Sequence, residues 1–364
     1  MHVDKDLVRR RGPIFVRGGD HVVARADAPL GRHLVDRPRV AERPPSNNRA
    51  RQASETDWSV HFRGHALGDM LLALGLVRGL NELFGARGGL KYVGPHAVLM
   101  RRCAIPMQVE SSDDEHYVAT CGESTQRVVY EAVPERDPLW LEPLDDRLVR
   151  VHASLPQRYA LWLEQLTGRS LSTAGAPLPS FPSSVELRPF HVVIVTATSW
   201  PARKDYGIAR YLKVIECFRS RIVAPWTFTV VTGEDETTEP SRANDVVVLR
   251  GAPAAECVDL FASADLVLGN DTGLMHLAAL VERSDGTSPQ VVSVYGRHAY
   301  NKWTTGRSNH HGIATPFSHM LSHADRCPVR DQLDDALWGA ASDLAEVSPE
   351  WVAEVVGRQM GWWS

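Results

Sequence analysis

The sequence has little lysine, few cysteines and no excess of positive charge. Only Lys5, Lys91, Lys204, Lys213 and Lys302 stand among its 40 basic residues, which leaves 35 arginines. Such a skew in an alanine-rich chain is that of a GC-rich genome, and it makes each lysine more noticeable. Acidic residues number 44, and the net charge of −4 excludes the strong positive field that non-specific nucleic-acid binding needs. The five cysteines, at 103, 121, 217, 257 and 327, are odd in number and form no Cys-x-x-Cys, so neither a disulfide framework nor a zinc ribbon is indicated. No run of about 18 apolar residues exists, so no membrane span is expected. The opening MHVDKDLVRRRGPIF lacks an apolar core and a small-residue cleavage site, which argues against a secretory signal and leaves the cytoplasm as the expected location. Walker A, Gly-x-Ser-x-Gly and His-Glu-x-x-His patterns are absent. The loop GHALGD is not Gly-x-Gly-x-x-Gly, which disfavours a nicotinamide cofactor. No cofactor and no metal are expected.

What is present is an alternation of strands and helices. Residues 1–57 stand apart as an Arg-, Pro- and Gly-rich extension in which IFVRG and HVVARA read as a short hairpin. From Trp58 the chain reads WSVHFR as a strand, GHALGD as a loop and MLLALGLVRGLNELFG as a helix. LKYVGPH, EHYVAT, RVVYEAV and LVRVHA read as further strands, and RYALWLEQLTG as a helix. The Pro/Ser-rich RSLSTAGAPLPSFPSSVELRP reads as a linker. Alternation then restarts with FHVVIVTA, a helix over YGIARYLKVIECFRS, the strands WTFTVVTG and NDVVVLRG, and a helix in APAAECVDLFASA. DLVLGN is a strand, GLMHLAALVER a helix and QVVSVYG a strand. The histidine-rich RSNHHGIATPFSHMLSH reads as a solvated loop, and SPEWVAEVVGRQMGWWS as a capped amphipathic helix. The pattern is that of two doubly wound α/β halves, each binding ligand at the carboxyl ends of its strands.

Four stretches could carry chemistry. In DLVLGNDTGLMHLAAL a strand runs directly into a helix, so free N–H groups of the first turn carry partial positive charge. Thr272 can cap that helix or bond a ligand, and Gly273 admits close approach. Asp271 would repel phosphate and suits sugar hydroxyls or loop fixing; His276 could donate to a phosphate oxygen or be a packed core residue. Lys204, in SWPARKDYG after a strand, can neutralise a leaving phosphate or be a surface lysine. In VVTGEDETTE, any of Glu234, Asp235 and Glu236 could accept ribose hydroxyls. Asp69, in RGHALGDM, sits at a helix start whose dipole favours a carboxylate, and an ionised Asp69 could take a proton from an attacking hydroxyl.

In their order along the chain these pieces resemble the bacterial heptosyltransferases, glycosyltransferase family 9. The resemblance runs over about 58–360 and rests on GD at 68–69, the Lys204 loop, the strand–xGxEDE segment and DLVLGNDTGLMHLAA. It implies a GT-B fold, α/β with two Rossmann-like domains facing a cleft. Residues 58–180 would bind the acceptor and 181–345 the nucleotide sugar, with the 346–364 helix packing back toward the first domain. It also implies inverting, metal-independent transfer from a nucleotide-diphosphate donor, ADP-heptose in the best-known members, to a saccharide or small natural-product hydroxyl. By position Asp69 matches the base, with Arg63, His65 and Gly68 beside the acceptor. Lys204 matches the lysine on the diphosphate. Thr198, Ser199, Gly233, Glu236, Asp271, Thr272, Gly273, Leu274 and His276 match the donor site. Lys204-Asp205-Tyr206 departs from the family's usual Lys-x-Trp. A sugar-nucleotide epimerase or hydrolase, or a binding protein without turnover, is the alternative on the same fold.

Overall fold

The structure is a computed structural model that describes residues 12–18, 58–61, 66–84, 90–111, 154–167, 169–172, 177–234, 246–323 and 343–363. The predicted strands EHYVAT, RVVYEAV and LVRVHA and the hairpin arm HVVARA lie outside the described residues. The chain divides into two compact units: Met1–Asp20 with Phe181–Asp325 and Val329–Ser364, and His21–Ser180 with Arg326–Pro328. The first strand, β1 (Ile14–Val16), belongs to the larger unit.

The smaller unit holds β2 (Trp58–His61), α1 (Leu67–Phe84), β3 (Leu90–Gly94), α2 (Ala97–Met100), β4 (Gln108–Ser111) and α3 (Leu155–Thr167). The three strands pair in parallel in the order β2-β3-β4. Helix α1 begins three residues earlier than the periodicity predicts, so Gly68 and Asp69 lie in its first turn instead of in a loop. Its Met70, Leu71, Leu74 and Val77 are buried. It packs on α3 through two glycines: a Cβ at Gly79 would meet Leu163 Cδ1 at 2.6 Å, and one at Gly75 would meet Pro156 O at 3.0 Å.

The larger unit adds β5 (Phe181–Ser183), β6 (His191–Val195), α4 (Pro201–Lys204), α5 (Ile208–Arg221), β7 (Thr227–Thr232), β8 (Val246–Arg250) and α6 (Ala254–Ala262). There follow β9 (Leu266–Asn270), α7 (Gly273–Leu280), β10 (Val281–Arg283), β11 (Gln290–Tyr295), β12 (His310–Ala314), α8 (Pro316–His323) and α9 (Pro349–Gln359). Its main sheet runs β8-β7-β6-β9-β11-β12 with every pairing parallel, and β1 closes the β12 edge antiparallel. Leaving β1 aside, the six strands follow the doubly wound order 3-2-1-4-5-6. The interior strands read as apolar runs because both faces are covered; β6 and β9 are buried at every position.

Four expectations are corrected here. IFVRG does not stay within the extension, since Ile14 pairs with Ala314 and Val16 with Gly312. The linker contains β5, which pairs with β10; the VER of β10 was read as the end of a helix. Arg283 is buried there because its guanidinium donates to the carbonyls of Ala262 and Ala264 and to Thr287 Oγ1. The histidine-rich stretch is not a solvated loop: His310 and His311 lie buried in β12. His310 bonds Ser293 Oγ at 2.9 Å and Thr305 Oγ1 at 2.9 Å.

The terminal helix α9 has the predicted cap, with Ser348 Oγ accepting from Trp351 N and Pro349 at its first position. Its Val352, Ala353 and Val356 join the core of the larger unit, and α9 lies along α5. Trp362 and Trp363 cluster with Phe218 just beyond it. Helix α9 thus belongs to the larger unit.

Candidate active site

In an open parallel sheet the crevice lies where strand order reverses, outside the carboxyl ends of the two strands that flank the reversal. Here those strands are β6 and β9, paired from Val192 with Leu266 to Val195 with Gly269. The segment after β6 carries Thr198, Ser199 and Lys204, and the segment after β9 carries Asp271, Thr272 and Gly273. The topology therefore brings these predicted donor-site residues to one edge.

The two segments are tied by Asn270, the last residue of β9 and fully buried. Its Oδ1 accepts from Tyr206 N and Tyr211 Oη, each at 2.9 Å. Its Nδ2 donates to Thr196 O at 2.8 Å and to Asp205 Oδ1 at 3.0 Å. All four bonding positions of the amide are used, which is what a buried carboxamide requires. Tyr206 is anchored further, its hydroxyl donating to Val347 O at 2.8 Å. Gly207 then turns the chain at φ +91°, a conformation that favours glycine. Lys204, expected in a loop, ends the one-turn helix α4 and is held against β9 by this network.

Lys204 Nζ lies 3.2 Å from Asp271 Oδ2, and His298 Nδ1 donates to the same oxygen at 2.8 Å. Asp271 is buried. Burial opposes its charge, but the Lys204 ammonium and the His298 bond outweigh that cost and hold the carboxyl well below the usual carboxylate range. It is an anion at neutral pH. His276 is buried one turn into α7, edge-on to His310 with ring centroids 5.7 Å apart. Burial lowers its pKa to about 4 against the pull of Asp271, so it is neutral. Its Nδ1 has no hydrogen-bond partner among the described residues.

The start of α7 carries the cap that the sequence allowed. Thr272 is the N-cap, its Oγ1 accepting from Leu274 N at 3.2 Å. The Leu274 amide expected at the phosphate is therefore taken by the cap, while helix geometry leaves the Gly273 N–H without an intrahelical partner. Gly269, two residues before Asp271, is required by packing: a Cβ there would meet Val195 O at 2.5 Å and Met275 Sδ at 2.8 Å.

Around this edge, Trp200 is 42% exposed and stacks under the Arg203 guanidinium at 4.5 Å. Gly233 and Glu234 follow β7, with the Glu234 side chain folded over Gly251. Asp69 and Gly68 belong to the smaller unit. Glu236, Asp235, Arg63 and His65 lie outside the described residues. Among those described, no group of three His, Cys, Asp or Glu residues could hold a metal ion, and no helix is long and apolar enough to cross a membrane.

Asn270 and His298 carry much of this geometry, yet the sequence assigns them no role. The available signal was position: His298 follows β11 by three residues, much as Asp271 follows β9.

Residues 170–330 match the family model of glycosyltransferase family 9 (heptosyltransferase). That segment contains Lys204, Asn270, Asp271, Thr272, Gly273, His276 and His298. The family match thus falls on the segment that carries the candidate site. No curated protein sequence matches the chain. Among solved structures the chain is similar to the Escherichia coli heptosyltransferase WaaC with ADP, at 12% identity and TM-score 0.54, over 83% of this chain and 99% of that one. It is similar to a glycosyltransferase family 9 protein from Veillonella parvula DSM 2008, at 13% identity and TM-score 0.54, over 86% of this chain and all of that one. A third is the iron-containing dodecameric glycosyltransferase TibC of enterotoxigenic E. coli H10407, at 15% identity and TM-score 0.50, over 85% of this chain and 77% of that one. These likenesses establish the GT-B fold, and with the family match they make the protein a glycosyltransferase.

Proposed function

We propose that this glycosyltransferase moves a sugar, a heptose in the first instance, from an ADP-linked donor to a hydroxyl of a saccharide or small natural product. The observation that carries the proposal is the pairing of the partly exposed Lys204 with the buried Asp271 at the strand-order reversal. A cation and the start of α7 meet there, as a nucleotide diphosphate needs. The carboxylate beside them is a hydroxyl acceptor. The heptosyltransferase name of the matched family and the ADP held by the E. coli neighbour support the choice of donor.

The mechanism is direct displacement with inversion, and it needs no metal. Lys204 and the Gly273 amide stabilise the departing diphosphate, charge stabilisation of the kind that usually dominates such reactions. Asp271 accepts from hydroxyls of the donor sugar and fixes its orientation. Asp69 of the smaller unit takes the proton from the acceptor hydroxyl as the bond to the anomeric carbon forms.

Thermal-shift measurements with ADP-, UDP-, GDP- and dTDP-sugars test this directly. Stabilisation grows as the logarithm of concentration over Kd, about 2.7 kcal/mol at a hundredfold excess, so the matching base stands out. ADP-heptose is expected to give the largest shift. A larger shift with another base would replace the donor. Consumption of the sugar nucleotide without any acceptor would instead indicate an epimerase or hydrolase.

A further inference from the structure

Lys204, Asp271 and the α7 start serve the donor as proposed above, but His298 has been given no task. Its Nδ1 donates to Asp271 Oδ2 at 2.8 Å, the oxygen that Lys204 Nζ also approaches at 3.2 Å. Two donors thus converge on one carboxylate oxygen. Among the described residues, Oδ1 has no such partner. The Asp271 main chain is fixed as well, its N–H donating to Val294 O at 3.2 Å. The imidazole in turn is set between two indoles, its ring centroid 5.7 Å from that of Trp303 and 6.4 Å from that of Trp200. Behind it, Ser318 Oγ donates to the His298 carbonyl, which ties the turn after β11 to α8. The Asp271 bond and the Ser318 tie together hold Nδ1 against Oδ2.

A lone Lys–Asp contact would not fix a carboxylate in this way. The ammonium is a compact point charge without directional preference, and the carboxylate can rotate to offer it either oxygen or both. A ring nitrogen has one lone direction for its N–H. With it in place, the carboxylate plane is set and Oδ1 is left for a partner other than His298 and Lys204. This is how a second layer of residues holds a functional group within the narrow tolerance it needs.

We propose that His298 is a positioning residue for donor-sugar recognition: by locking Oδ2 of Asp271 it presents Oδ1 to the sugar hydroxyls. The inference rests on the nucleotide-sugar reading above and adds a division of labour within it. Lys204 and the Gly273 amide serve the diphosphate, whereas His298 acts through Asp271 on the sugar alone. Its loss is therefore felt only by ligands that carry the sugar.

The test compares the full-length chain with His298→Ala and His298→Asn, using ADP alone and ADP-heptose as the two probes by calorimetry. Asn places an amide N–H close to where Nδ1 stands, while Ala supplies none. His298→Ala is expected to weaken ADP-heptose at least tenfold and to leave ADP within about threefold. His298→Asn should recover ADP-heptose binding to within about threefold. In steady state the same variants should raise KM for the donor more than they lower kcat. Three results overturn the inference: unchanged ADP-heptose affinity in His298→Ala, equal losses of ADP and ADP-heptose, or no recovery by Asn in a variant that still binds ADP normally. If the unaltered chain binds neither ADP nor ADP-heptose, the donor reading itself falls, and this inference falls with it.

Discussion

Asp271 and Asp69 are both assigned to the reaction, one from each unit, and they are held in different ways. Asp271 sits at a sheet edge, buried, with its oxygen shared by a lysine and a histidine from two other segments. The lysine's segment is bound to the end of β9 by the side chain of Asn270. Asp69 sits in the first turn of α1, half-buried, on a helix fastened by close packing on α3. The first arrangement fixes a charge through cross-connections that only tertiary structure supplies. The second relies on the helix end, which any sequence can announce locally. A group that must meet one donor in a fixed pose suits the first, and a group that must meet a hydroxyl arriving with the acceptor suits the second.

The comparison is broken most severely at Asn270. Replacing it with Leu takes a partner from two buried donors and from the Thr196 carbonyl, while Asp205 Oδ1 keeps Gly207 N, and should cost about 3 kcal/mol, measured as a fall in the urea midpoint. A cost below roughly 1 kcal/mol would mean that the cross-connections are not what holds the edge. Asp69→Asn should reduce transfer by about a hundredfold or more while ADP-heptose binding and stability stay near those of the unaltered chain. Near-normal turnover would remove Asp69 from its role and leave the smaller unit without an assigned base.

A smaller effect comes from pH. His276, His310 and His191 are lowered below the ordinary histidine range, each chiefly by burial, so the unfolded chain binds protons that the native chain refuses. Stability must then rise with pH across that interval and fall as pH drops from about 6.5 toward 4. The loss should reach roughly 1 kcal/mol or more by pH 5, read from urea midpoints. Asp271, held low, contributes in the same direction only at more acidic pH. A flat profile between pH 7 and 5 would show that these histidines titrate freely.

Much of this was legible in the residues. The interior strands of the larger unit announce themselves as apolar runs, and Ser348-Pro349 marks the last helix before any contact is seen. At the site, Asp271, Thr272 and Lys204 stand out because they follow strands. What escaped has a common cause. His310 and Arg283 are core residues whose polar atoms are satisfied by Ser293, Thr305 and backbone carbonyls far along the chain. Read locally they are polar, and so the strands that contain them looked like a loop and a helix end. Asn270 and His298 escaped for the same reason: Asn270's partners lie 59 to 74 residues away, and His298 reaches back to Asp271 over 27.

The pairing of Ile14–Val16 with β12 has a consequence for how the chain is made. Ile14 precedes its partner Ala314 by 300 positions. Phe15 stacks on His311, and Gly18 N donates to His311 Nδ1 at 2.8 Å, so these contacts too wait for the far end. At synthesis rates of about 5–20 residues per second, the leading strand spends some tens of seconds without the edge it fits. The β12 edge of the larger unit is therefore closed only after everything that lies between the two strands has been produced.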